Sequence, residues 1–172
     1  MKKLSLVLAI ALVVGVGVAY ASSIAVPWFV DNAATAQGVP PASGIMTIIY
    51  LKNNTDDDVV AEIAYTSANG SVLDDPATPE NEAEFPYNTF VIPARSTQGF
   101  RPVADDPVPA GQESAAANLV PDRPRYLSDD ASTNQKNGSA SISWTGGPND
   151  VQGMVATTAS NLSYAHLLPP GA

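Results

Sequence analysis

The apolar residues of this chain fall in short runs separated by turn-forming residues, and beyond position 21 no long apolar period of 3.6 residues occurs. Ile24 to Val30 is a first strand that contains Pro27, and a proline cannot donate to a ladder, so this strand belongs at an edge or carries a break. In Gly44 to Lys52, Ile45, Thr47, Ile49 and Leu51 share one face while Met46, Ile48 and Tyr50 share the other. Two apolar faces predict a central place in a sandwich. Val59 to Tyr65 and Ser71 to Leu73 flank Asn69-Gly70, a pair that tolerates positive φ and closes tight hairpins. Asn88 to Pro93 and Thr97 to Val103 pair around Ala94-Arg95-Ser96. Ser139 to Trp144 alternates, a Gly-Gly-Pro-Asn-Asp turn follows, and Val151 to Thr157 and Leu162 to Leu168 complete the set. Residues 74–87 read as an acidic loop. Residues 104–137 read as a long polar loop with a candidate short helix at Gly111 to Leu119. About eight strands of this kind predict an all-β fold, a single antiparallel β-sandwich. Trp28, Tyr50, Phe90, Phe100 and Trp144 sit within predicted strands and are expected in the core; a sugar-stacking platform is the alternative.

The first 21 residues have a different character. Lys2 and Lys3 precede an apolar run from Leu4 to Val18, and Ala19 and Ala21 then place small residues at −3 and −1 of a cleavage site with Ser22 next. This is the three-part secretory pattern, a helical leader too short for the roughly 20 residues that span a bilayer. The expected division is therefore a signal peptide at 1–21 and a β-sandwich domain at 22–172. The expected destination is secreted or periplasmic. With no Cys after the run, lipid attachment is not expected, and the C-terminal Leu-Leu-Pro-Pro-Gly-Ala suggests no membrane anchor after cleavage.

Charge narrows the partners. Loss of Lys2 and Lys3 leaves 6 basic residues against 17 acidic ones, a net charge of −11. Phosphate-neutralising cations are scarce, so nucleic acid is not an expected partner. The absence of Cys removes thiol catalysis and zinc–thiolate sites, and a single histidine, His166, cannot make a multi-histidine metal centre.

Acidic runs are the most distinctive remaining feature: Asp56-Asp57-Asp58, Asp74-Asp75, Asp105-Asp106 and Asp129-Asp130. Calcium takes six to eight oxygen ligands, and Asp105, Asp106, Asp129 and Asp130, which flank the long loop, are the candidate calcium ligands. The alternative is that these are turn residues bonding their own backbone. Arg101, Arg123 and Arg125 are candidates to pair with those doublets and order the loop. His166 lies in an apolar strand and is expected to be structural; a Ser–His–Asp arrangement is recognised by geometry rather than order, and neither a Gly-x-Ser-x-Gly elbow nor a His-Glu-x-x-His helix is present. Four Asn-x-Ser/Thr patterns, at Asn53, Asn69, Asn137 and Asn161, arise easily in such a composition.

The strand–turn–strand around Asn69-Gly70 and the segment Phe90-Val91-Ile92-Pro93-Ala94-Arg95-Ser96-Thr97 resemble steps of the immunoglobulin-like sandwich modules of exported bacterial proteins. Phe100 to Pro107, Ser143 to Gly147 and Leu167 to Gly171 look like the marks of a family of small exported proteins of this type. The resemblance implies an immunoglobulin-like fold and brings no activity, cofactor or site residue. The functional expectation is a non-enzymatic interaction or structural module of a surface, matrix or periplasm, in contact with protein or glycan partners or with itself through the first strand. A small-ligand or glycan-binding module, stabilised by calcium, is the alternative, and a small hydrolase the third reading.

Overall fold

The computed structural model describes residues 21–34, 38–70, 72, 89–103, 120, 123 and 136–170. They contain no helix and eight strands: β1 (Ala21–Val30), β2 (Ile45–Asn53), β3 (Val59–Ser67), β4 (Thr89–Ile92), β5 (Thr97–Phe100), β6 (Asn137–Thr145), β7 (Val151–Ala159) and β8 (Leu162–Leu168). The strands form two four-stranded sheets, β1-β6-β3-β4 and β5-β2-β7-β8, antiparallel throughout. The two-sheet sandwich expected from the pattern is therefore what the described residues build. The predicted leader helix and the candidate helix at 111–119 lie outside them.

Strict alternation explains the first sheet. Val59, Ala61, Ile63 and Tyr65 of β3 are buried, as are Ala140, Ile142 and Trp144 of β6. In antiparallel pairs, residues directly opposite share a face, and Ile63 stands opposite Ile142 and Ala61 opposite Trp144. From the second sheet Ile49, Leu51, Val151 and Val155 complete the same core. Full burial of each large aliphatic side chain contributes about 1.5–3 kcal/mol. Phe29 meets Tyr65 edge to face, with ring centroids 6.1 Å apart.

β2 has the central place its two apolar faces predicted, between β5 and β7. Its second face buries Met46 and Ile48 against Ala33, with Tyr50 partly covered. Pro27 does mark an edge strand with an irregularity: Val26 pairs with Ala140 and Phe29 with Gly138, so Pro27 and Trp28 together oppose Ser139 alone. This bulge resets the alternation. Phe29 turns inward, and Trp28 is left 49% exposed, contrary to its expected place in the core. Phe90, Phe100 and Trp144 are buried as expected. The predicted hairpin after β3 is represented among the described residues by one bridge, Thr66 to Val72, beyond a turn in which Gly70 has φ +90°. The predicted strand at 97–103 ends earlier, at Phe100.

Just beyond that end lies a charged group inside the protein. The Arg101 guanidinium donates from Nε to Asp31 Oδ2 at 3.0 Å and from Nη2 to Asp31 Oδ1 at 2.5 Å, and Nη2 also donates to the Ala33 carbonyl at 3.2 Å. Asp31 Oδ2 in turn accepts the Thr47 N–H at 3.1 Å. Both side chains are buried. Asp31, at the end of β1, is thus a carboxylate partner of Arg101 that the sequence did not suggest, and the acidic doublets with which Arg101 was expected to pair lie outside the described residues. Arg123 is also buried, and its backbone N–H donates to Val103 O at 3.0 Å; Arg125 lies outside the described residues.

Candidate functional site

One end of the sandwich gathers three loops, 53–58, 93–96 and 146–150. Asn53, fully buried, joins the first two. Its Nδ2 donates to Asp57 O at 2.8 Å and Ile92 O at 2.9 Å, and its Oδ1 accepts from Thr55 N and Thr55 Oγ1, both at 2.8 Å. The third loop is tied by Asn54, whose N–H donates to Asp150 O at 2.8 Å. The carboxylates at this end are occupied by the same kind of contact. Asp58 Oδ1 accepts from Ala94 N at 2.8 Å, Asp150 Oδ2 accepts from Gly147 N at 2.6 Å, and Asp56 pairs with Arg95 at the surface. In the acidic run 56–58, Asp58 thus bonds the 93–96 loop and Asp56 the Arg95 guanidinium, while Asp57 takes part through its backbone carbonyl. Among the described residues no group of three or more His, Asp or Glu is placed to hold a metal ion. The proposed calcium ligands Asp105, Asp106, Asp129 and Asp130 lie outside the described residues, as does Asp74-Asp75. The Asn53 pattern for glycosylation is buried and its amide is engaged, so the folded chain does not offer it.

The opposite character appears along β8. Leu162 to Leu167 are exposed on both faces, and Leu168 alone is buried. Leu162 is 62%, Tyr164 51% and Leu167 64% exposed. The cause is topological. Tyr164 stands opposite Thr157 and His166 opposite Val155, both inward-facing on β7. The inner side of β7 is roofed by β1: a Cβ on Gly153 would touch Ile24 and Leu168 together. β1 is the outermost strand of its sheet, so the second sheet extends one strand past the first, and Leu162, Tyr164 and His166 overhang. The chain after β8 crosses to β1 at one point, the bridge from Ile24 to Pro170. A shallow cavity of about 390 Å³ lies at this end of β8, between Asn149, Leu167, Pro169 and Pro170.

His166 is exposed, where the sequence suggested a structural place. Its ring stacks on Tyr164, centroids 6.5 Å apart and planes at 12°. No hydrogen bond joins it to a Ser or an Asp among the described residues, so the pairing that nucleophilic catalysis uses is not formed there. Sequence reasoning placed an open edge at β1 and missed the one at β8, because an apolar run reads alike whether covered or overhanging. The residues expected at a leader cleavage site fall at the start of β1. Ala21 opens the strand, one position short of Ser22, which is buried, pairs with Trp144 and donates from Oγ to Gly146 O at 2.7 Å. Ala19 lies outside the described residues.

Among the described residues Trp28 on β1 and Tyr164 on β8 are large aromatic residues about half exposed. No protein-family model, no curated protein and no solved structure matches the chain.

Proposed function

We propose that the chain is an exported, non-enzymatic β-sandwich that works by contact, as a surface, matrix or periplasmic interaction module, and that β8 is its contact element. The observation that carries this reading is the exposure of β8 on both faces, with Leu162, Tyr164 and Leu167 in solvent. Apolar surface of this kind on a soluble domain marks interaction sites. Protein partners meet such an edge by adding a strand to it. The strand order supports an immunoglobulin-like reading of the sandwich, with β1, β6 and β3 in the places of strands B, E and D and β8, β7 and β2 in those of G, F and C. Export rests on the basic, apolar and small-residue pattern of positions 2–21. Cleavage after Ala21 would fall inside β1, so it precedes the pairing of β1 with β6.

The test is fractionation of cells that make the chain, followed by N-terminal sequencing. The reading expects the protein outside the cytoplasm with Ser22 at its N-terminus. A chain that stays in the cytoplasm with its first residues intact overturns export.

Trp28 and Tyr164 favour glycan binding as the second reading, since exposed aromatic rings stack on sugars. Calcium at Asp105, Asp106, Asp129 and Asp130 would accompany it. Titration of the protein with calcium and with oligosaccharides, followed by heat and by shift in melting temperature, separates this reading from the first.

A further inference from the structure

We infer that two copies of this chain join through β8, antiparallel and in register about Ala165, to form one continuous eight-stranded sheet. The inference rests on the contact reading above and names the partner.

An unpaired strand edge is a template for another strand, and proteins blunt such edges with proline, bulges, charge or shortness. Of the four edges that the described strands leave, three are blunted. β1 carries Pro27 and its bulge and is bridged by Pro170 at Ile24. β4 and β5 have four residues each among the described residues. β8 has seven residues, Leu-Ser-Tyr-Ala-His-Leu-Leu, with no proline, no glycine and no Asp, Glu, Lys or Arg. In a chain of formal charge −9, like copies repel one another over most of their surface. β8 is a stretch on which two copies can meet without bringing carboxylates together.

The register follows from the ladder. Ala159 pairs with Leu162 across a two-residue turn, which makes theirs a hydrogen-bonded pair, and such pairs alternate along an antiparallel ladder. The backbone groups of Leu162, Tyr164, His166 and Leu168 are thereby directed to β7, and those of Ser163, Ala165 and Leu167 to the open edge. The next strand of an all-antiparallel sheet runs against β8, which a two-fold axis provides. Centring that axis on Ala165 pairs all seven residues and engages all three open-edge positions; a shift in either direction leaves residues unpaired. Ser163 then faces the partner's Leu167, Tyr164 the partner's His166 and Leu162 the partner's Leu168. The smallest side chain sits on the axis. Tyr164, already stacked on its own His166, gains a second imidazole, and the overhanging inner faces of the two β8 strands form one apolar strip. Leu162, Tyr164 and Leu167 each offer on the order of 100 Å² of exposed surface. The interface therefore falls below about 1,200 Å² in total, the range of weak, reversible association.

The chain contains no Cys, so introduced thiols report position unambiguously. In the purified chain, Ala165→Cys is expected to give a disulfide-linked dimer on mild oxidation, since opposed Cα atoms about 5.5 Å apart suit a disulfide. Ser163→Cys and Leu167→Cys are each expected to stay largely unlinked alone and to link when mixed. Val60→Cys, exposed on the other sheet, is the background control. Charge gives an independent readout. Ala165→Asp and Ala165→Lys are each expected to be monomeric by sedimentation at concentrations where the parent chain self-associates, and their mixture to regain dimers. A parent chain that is monomeric at all concentrations overturns the pairing. So do dimers that persist in both charged variants, which would place self-association elsewhere, and linking of Ala165→Cys no faster than Val60→Cys. Ser163→Cys linking alone as readily as the mixture overturns the register. These outcomes leave untouched the location and N-terminus by which export is judged, so the two readings fail separately.

Discussion

Arg101 Nε lies 3.0 Å from Asp31 Oδ2, in a two-pronged ion pair that joins the end of β5 to the end of β1 with both side chains buried. The Thr47 N–H adds a third bond to the carboxylate, and the Ala33 carbonyl one to the guanidinium. Breaking such a pair leaves a buried charge without its counterpart, which costs about 3–5 kcal/mol, whereas replacing both members by apolar groups of similar volume is far milder. Asp31→Leu and Arg101→Met are therefore each expected to lower the urea midpoint sharply. Asp31→Leu combined with Arg101→Met is expected to be more stable than either single variant. Equilibrium unfolding of the four proteins in a double-mutant cycle checks this.

Asn53 bonds two loops through both ends of one amide. Asn53→Ala is expected to cost about 2–4 kcal/mol, because buried donors and acceptors lose their partners. Asn53→Asp is expected to be worse than its shape suggests: a carboxylate would face the carbonyls of Asp57, Ile92 and Pro93 where the amide now donates. Asn54→Ala, at the exposed neighbouring position, is the mild comparison. Thermal melts of the three variants give the order.

Two glycines in the ladders are there for space. A Cβ on Gly138 would fall against the Thr66 carbonyl oxygen, a backbone atom that cannot move without disturbing the β3–β6 ladder. The nearest atoms to a Cβ on Gly153 would be side-chain carbons of Leu168 and Ile24, at 3.1 and 3.2 Å. Gly138→Ala is expected to cost about 1–3 kcal/mol and Gly153→Ala less, since side chains can repack and backbone cannot. Equal losses in denaturant unfolding would contradict the distinction.

Arg95 occupies the left-handed region, φ +57°, in the turn between β4 and β5. Its ion pair with Asp56 is fully at the surface and such pairs contribute little. Its main energetic role is the conformational cost of a side chain there, on the order of 1 kcal/mol. Arg95→Gly is expected to match or exceed the parent in melting temperature, and Arg95→Val to fall clearly below it, since branching at Cβ is poorly tolerated at positive φ.

Alternation along β3 and β6 was legible because each has one face on the core, and β2 because both of its faces are covered. Pro27 was legible as an edge because a missing N–H has one local meaning. Trp28 was not: the bulge that turns it outward depends on how many residues of β6 stand opposite, which no local pattern records. Arg101 and Asp31 are 70 positions apart and each is an ordinary charged residue in its own neighbourhood. The exposure of β8 depends on where β1 stops roofing the other sheet, a property of two strands at opposite ends of the chain.

The interior positions of both sheets have a consequence for the order of events. β6 lies between β1 and β3, and β7 between β2 and β8. Ser22 reaches across 124 positions to Gly146. Of the described strands, a chain emerging from its N-terminus, from a ribosome or from an export channel, can pair only the ribbons β3-β4 and β2-β5 until Asn137 arrives, and two-stranded ribbons are marginal on their own. β1 has no sheet to join for all of that time. The late strands thus act as the template on which the early ones are laid down, and a nascent chain stopped before β6 is a substrate for chaperones and proteases rather than half of a sandwich.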